Sequence, residues 1–215
     1  MKRRVFSLAA GGAAFGLSSI AYLPSAWAAD EAPDALIKRL SDEVLTQIRS
    51  DPALRAGDIN RIMTVVDNKI MPNVNFRRMT AATVGPAWRQ ATPEQQKRLL
   101  EEFKSLLVRT YSGALAQIGD ETVSVRPARF SPEDKEVVVR TEIRGRGEPI
   151  QLDYRLERTP GDGAGWKIYN LNVLGVWLVE TYRSQFAQEI NARGIDGLIA
   201  TLTERNRANN AARRS

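Results

Sequence analysis

Between Asp34 and Ile48 the apolar residues Ile37, Leu40, Val44 and Ile48 recur at every third or fourth position, which sets them on one stripe of an amphipathic helix. Asp51-Pro52 and Gly57 interrupt that pattern. Asp58 then supplies a capping side chain for a second helix, with Ile59, Ile62, Met63, Val66 and Ile70 on its stripe and Pro72 as its stop. Between Phe76 and Trp88 lie Met79, Val84, Gly85 and Pro86, the pattern of a short helix followed by a turn. Thr92 opens the best-signalled helix, because Pro93 suits the first position and Gln95 is placed to return a capping-box hydrogen bond. Leu99, Phe103, Leu106, Leu107, Thr110, Tyr111, Ala114 and Ile118 form its apolar face over about seven turns.

After Gly119 the period changes to two. Val137, Val139, Thr141 and Ile143 alternate with Val138, Arg140, Glu142 and Arg144, and Ile150, Leu152, Tyr154 and Leu156 alternate with Gln151, Asp153, Arg155 and Glu157. Each run reads as a strand with one buried face. Gly145, Gly147 and Pro149 form one connection and Pro160-Gly161-Asp162-Gly163 the next, with further strands expected from Val123 to Ala128 and from Trp166 to Val173. Short connections make neighbours antiparallel, so the pattern predicts an α+β fold: a twisted sheet of about four strands wrapped by helices. Helix resumes near Val179, with Tyr182, Phe186 and Ile190 inward. It closes at Gly194, and Ile195, Leu198, Ile199 and Leu202 mark a last short helix.

The two ends read differently. Lys2, Arg3 and Arg4 precede an uncharged stretch from Val5 to Ala29, and Ala26-Trp27-Ala28 offers the small alternate residues of a signal-peptidase site. Residues 1–28 are therefore expected to be a cleaved export leader, by the general or the twin-arginine route. Losing its three basic residues lowers the formal net charge from +6 to +3. Residues 29–205 are expected to form one domain and 206–215 a disordered basic tail. Nucleic-acid binding is not expected, since no basic stripe interleaves with aromatics.

The chain has no His and no Cys, which excludes Ser-His and Cys-His nucleophiles, His-ligated metals and thiolate sites. Glu101, Glu102, Asp153 and Glu180 are acidic residues near apolar segments, the minimal material for a carboxylate-dependent envelope hydrolase. Solvated surface positions explain them more simply. No catalytic residue, metal or cofactor is expected. The positive signal is the spread of large aromatics over several elements. Either they fill a solid core, or helices arch over the sheet and leave an apolar cavity. Both are lined by the same residue types, so the pattern leaves them open.

Phe76-Arg77-Arg78-Met79, Val84-Gly85-Pro86-Ala87-Trp88 and Thr92-Pro93-Glu94-Gln95-Gln96, with Phe103 and Tyr111, resemble the first half of the MlaC (toluene-tolerance) family. The run from Trp166 to Val176 leading into Leu178-Val179-Glu180-Thr181-Tyr182-Arg183-Ser184-Gln185-Phe186 resembles its second half. The resemblance implies a monomeric periplasmic phospholipid carrier of a Gram-negative bacterium, with acyl chains in an apolar pocket and no chemical step. It also implies a shuttle between an outer-membrane lipoprotein–porin complex and an inner-membrane ABC transporter with an MCE-domain subunit, maintaining outer-membrane lipid asymmetry. A protein-interaction module is the remaining alternative. Asn170 stands where the family often has an acidic residue, and Trp177 where it often has a small polar one, so Trp177 is expected at the pocket or its mouth. Stripe and alternation select Phe76, Met79, Trp88, Phe103, Leu106, Tyr111, Val139, Leu152, Tyr154, Ile168, Val173, Trp177, Val179 and Tyr182 for tail contact. Arg77, Arg78 and Arg183 are the candidates for a head-group phosphate.

Overall fold

The computed structural model describes residues 31–116, 118–145 and 147–211. The expected export leader lies outside them. Helix α1 (Pro33–Ser50) starts with Pro33 at its first position and Asp34 in its first turn, and has Arg49 in its last, each favoured by the helix ends. Asp51 caps the short α2 (Pro52–Arg55) and Asp58 caps α3 (Ile59–Val65), their carboxylates accepting from backbone N–H groups. A π turn (Val66–Ile70) and a 3₁₀ turn (Met71–Asn73) continue the chain to α4 (Phe76–Val84), which Asn75 caps and Gly85 ends. The expected capping box forms at α5 (Pro93–Ala116): Gln95 N–H donates to Thr92 Oγ1 at 3.2 Å, and Thr92 N–H donates to Gln95 Oε1 at 3.0 Å.

The strands β1 (Thr122–Val125), β2 (Glu136–Arg144), β3 (Ile150–Arg158), β4 (Trp166–Val173) and β5 (Val176–Trp177) form one antiparallel meander in sequence order. The fifth strand is a two-residue edge, too short to leave a periodic signal, and β1 stops three residues before the expected Ala128. Registry explains a feature that simple alternation forbids. Leu156 pairs with Ile168 while Tyr154 pairs with Leu171, so one extra residue is accommodated in β4. Ile168 and Val173, of opposite parity, thereby share the inner face, and Asn170 turns outward.

Three buried clusters hold the fold together. The first half of the inner sheet face (Val137, Val139, Leu156, Trp166 and Ile168) packs on Leu36, Ile37 and Leu40 of α1. Helices α4, α5 and α6 (Leu178–Ala211) pack on one another through Phe76, Met79, Phe103, Tyr182, Phe186 and Leu202. Ile48, Leu54, Ile62, Val65 and Val108 join α1, α2, α3 and α5.

Gly194, at φ +68°, breaks α6 where a helix end was expected. The segment after it is longer than expected and overturns the tail boundary at 206. The helix runs on to Ala211 because Asn206 is buried, its Nδ2 donating to the Glu102 carbonyl at 3.0 Å and to Glu102 Oε2 at 2.7 Å.

Phe103 is fully buried, with ring centroids 5.7 Å from Phe76, 5.2 Å from Tyr182 and 5.3 Å from Phe186. Phe103→Ala removes the contact common to three helices. It should lower unfolding free energy by about 3–5 kcal/mol in chemical denaturation.

Candidate functional site

The clusters do not merge into the single core usual for a domain of this size. Along the sheet's second half the inner-face residues Ile143, Leu152, Leu171 and Val173 stay half-buried, and Tyr154, half-buried too, packs against the cluster under α1. Leu107 and Tyr111 of α5, with Met71 and Val74 before α4, are half-buried against the helical core, and Val44 of α1 is half-buried against the core beneath that helix. These side chains form a half-buried apolar seam between the helical core and the core under α1.

Tyr154 packs against the core under α1, and burial pushes its phenol up to about 12, against weaker opposition from the Ser41 and Thr141 hydroxyls. Burial also raises Tyr111 and Tyr182 above their ordinary 10. The three phenols are therefore neutral hydroxyls at physiological pH, and the seam suits hydrocarbon with few polar contacts. Two surface clefts differ in kind. One of about 240 Å³ is lined by Arg126, Arg140, Thr141, Glu142, Pro149 and Gln151. The other, of about 700 Å³, lies among Gly119, Glu121, Thr122, Arg144 and Gly147, next to Ile143 at the strand ends.

The structure sorts the residues expected to touch a ligand. Tyr111, Leu152, Tyr154 and Val173 stand on the seam. Phe76, Met79, Trp88, Phe103, Leu106, Val179 and Tyr182 belong to the helical core, and Val139 and Ile168 to the core under α1. Trp177 is on the other side of the sheet: it pairs with Asn172, on the face opposite Leu171 and Val173. Strict alternation missed Leu171, because the extra residue in β4 leaves no mark in the hydrophobic pattern. Leu107 was visible on the α5 stripe, and Val44 on the α1 stripe, but nothing in the spacing separated seam from core.

The MlaC protein family profile matches residues 38–204, most of the chain. The chain belongs to the MlaC family. It is 22% identical over 178 residues to the intermembrane phospholipid transport system binding protein MlaC of Haemophilus influenzae, spanning 82% of this chain and 83% of that one. It is 25% identical over 179 residues to the toluene tolerance protein ttg2D of Pseudomonas putida, spanning 82% and 81%. A solved structure of the phospholipid-binding protein from Ralstonia solanacearum, in complex with a phospholipid, superposes with a TM-score of 0.79 at 45% identity. That likeness covers 83% of this chain and 98% of the other.

Asn170 and Trp177 both lie on the outer sheet face. Asn170 Oδ1 accepts from the N–H of Leu171 at 2.9 Å and of Val179 at 3.1 Å, capping α6, and its Nδ2 donates to Glu180 Oε2 at 2.8 Å. An aspartate here would set a second carboxylate against Glu180. Arg155 pairs with Glu180 and covers Trp177, its guanidinium carbon 4.0 Å from the ring centroid.

The arginines expected at a head group are engaged elsewhere. Arg78 reaches the outer face, where it pairs with Glu136 and Glu157 and lies 3.6 Å over the Tyr169 ring. Arg77 donates to Gln96 Oε1 at 2.8 Å and sits over Trp88, and Arg183 donates to the Ala82 carbonyl at 2.7 Å.

The acidic candidates form no catalytic pair by their contacts. Glu101 is exposed, Glu102 accepts from Thr203 and Asn206, and Asp153 is buried beside Gln151. Partial burial opposes ionisation of Glu180, but the hydrogen bonds from Asn170 and Arg155 outweigh it and hold the carboxyl below its ordinary 4.5. A general acid needs the opposite shift. Because its folded value is lowered, Glu180 contributes stability above the ordinary carboxylate range, and that contribution is lost as pH falls through the folded value. Stability measured by denaturation from pH 6 down to pH 2 should therefore drop less steeply below about pH 4.5 in Glu180→Gln than in the wild type.

Proposed function

We propose that this protein is a periplasmic phospholipid carrier that holds acyl chains in the seam between sheet and helices and performs no chemical step. The observation that supports the reading is the incomplete burial of large apolar side chains: Leu152, Tyr154, Leu171 and Val173 on the sheet and Leu107 and Tyr111 on α5 all stay half-buried. The phospholipid complex of the Ralstonia relative supports it, at 45% identity. So does the energy of the task. Each methylene removed from water is worth about 0.8 kcal/mol, so a two-tailed lipid with ~30 of them costs on the order of 20 kcal/mol to carry exposed.

A carrier must also release its cargo, which a neutral seam bordered by the Tyr111 and Tyr154 phenols allows better than a cage of charged groups. The leader-like residues 1–28 support a site of action outside the cytoplasm. The partners we assign are an outer-membrane lipoprotein–porin complex and an inner-membrane ABC transporter with an MCE-domain subunit, with outer-membrane lipid asymmetry as the result of the shuttle.

Native mass spectrometry of protein purified without detergent tests this reading. The wild type should carry phospholipid, and Val173→Trp, which fills the seam from the sheet side, should lose it while keeping its far-UV circular dichroism and cooperative melting. Wild-type protein that is repeatedly empty would contradict the proposal.

A further inference from the structure

The hairpin joining β4 to β5 is built against local preference. Val173 pairs with Val176, so Leu174 and Gly175 form a two-residue loop, and both have positive φ, +53° and +87°. That is the type I′ pattern, in which Asn-Gly is favoured because a branched side chain strains the left-handed region. Leucine occupies the strained position and is 65% exposed. Asparagine would fit the backbone and the solvent better, so neither folding nor solubility accounts for leucine here.

Exposed large apolar side chains gather at this tip. Among the described residues five stand out, and Leu174, Val176 (51%) and Ile150 (42%) are three of them. Leu174 N–H donates to the Gln151 carbonyl at 3.0 Å, which sets it beside Ile150. Registry links the tip to the seam: Ile143 pairs with Ile150, Leu152 with Val173, and Val173 with Val176, all on the inner face. An apolar row thus runs from half-buried Leu152 and Val173 to exposed Ile150 and Val176 without a charged residue in it. One position behind the tip, on the outer face, Trp177 lies under the Arg155 guanidinium. A tryptophan and an arginine flanking an aliphatic tip are the side chains that favour the head-group level of a bilayer.

We infer that the Leu174-Gly175 hairpin is the surface by which this carrier rests on a phospholipid bilayer, with Leu174, Val176 and Ile150 entering the acyl boundary and Trp177 and Arg155 at the head groups. The inference rests on the carrier reading and adds a docking surface to it: the apolar row gives a leaving chain a path from seam to membrane. A convex aliphatic tip suits a lipid surface better than a protein partner, whose recognition relies on aromatic and arginine anchors seated in desolvated pockets.

The test uses the full mature chain and vesicles of phosphatidylethanolamine and phosphatidylglycerol, comparing wild type with Leu174→Asn and Val176→Ser. Leu174→Asn should raise the denaturation midpoint, because strain is relieved. It should keep co-purified lipid unchanged, yet lower both vesicle flotation and the rate of fluorescent-lipid transfer by roughly tenfold. Val176→Ser should lower flotation in the same direction. Wild-type protein that does not float with vesicles, or flotation unaffected by both substitutions, overturns the inference. Tip-dependent flotation of protein that never carries lipid would support the docking surface and remove the carrier reading, so the two fail separately.

Discussion

An aliphatic sheet face stabilises a protein only where something dry covers it, by roughly 25 cal/mol for each Å² removed from water. In this chain α1 covers the first half of that face, and the apolar residues of the second half stay half-buried. The arrangement of the molecule follows from that partial cover. Each side must be stable without the other: α1 locks onto Val137, Val139, Leu156 and Ile168, and the helices lock onto one another through the Phe103 cluster. A solid core would be more stable and would have no room for a guest.

Because the inner face is not closed, the outer face holds the halves in register. Asn170 caps α6 and bonds Glu180, Glu180 pairs with Arg155, and Arg155 covers Trp177, which ties β3, β4, β5 and the start of α6 together. Arg78 does the same for the start of α4, through Glu136 and Glu157. The ion pairs sit near water, so each is individually weak, while the Asn170 hydrogen bonds are buried. Polar groups that look like candidates for lipid recognition in the sequence are the fasteners of a sheet whose other face must stay open.

The elements were legible in the sequence because their signals are local. Capping residues at Asp51, Asp58 and Thr92, the period of two after Gly119, and the Gly194 break all depend on neighbours a few positions away. The division between sealed and half-buried positions was not legible. Phe103 and Tyr111 share one helical stripe, yet Phe103 is fully buried among rings and Tyr111 stays half-buried, a difference of tertiary packing that spacing along the helix does not record. Alternation mis-sorted two residues for two reasons: the extra residue in β4 moved Leu171 inward, and the pairing of β5 carried Trp177 to the outer face. Asn206, read as tail, is buried against Glu102, a contact 104 residues away in sequence.

The most direct measurement is a crystal structure of the mature protein purified without detergent, at a resolution that shows ordered hydrocarbon. Tubular density should run between Tyr154 and Val173 on the sheet and Leu107 and Tyr111 on α5. Those same side chains in van der Waals contact, with no density between them and no path to the surface, would contradict a hollow interior and the carrier function built on it.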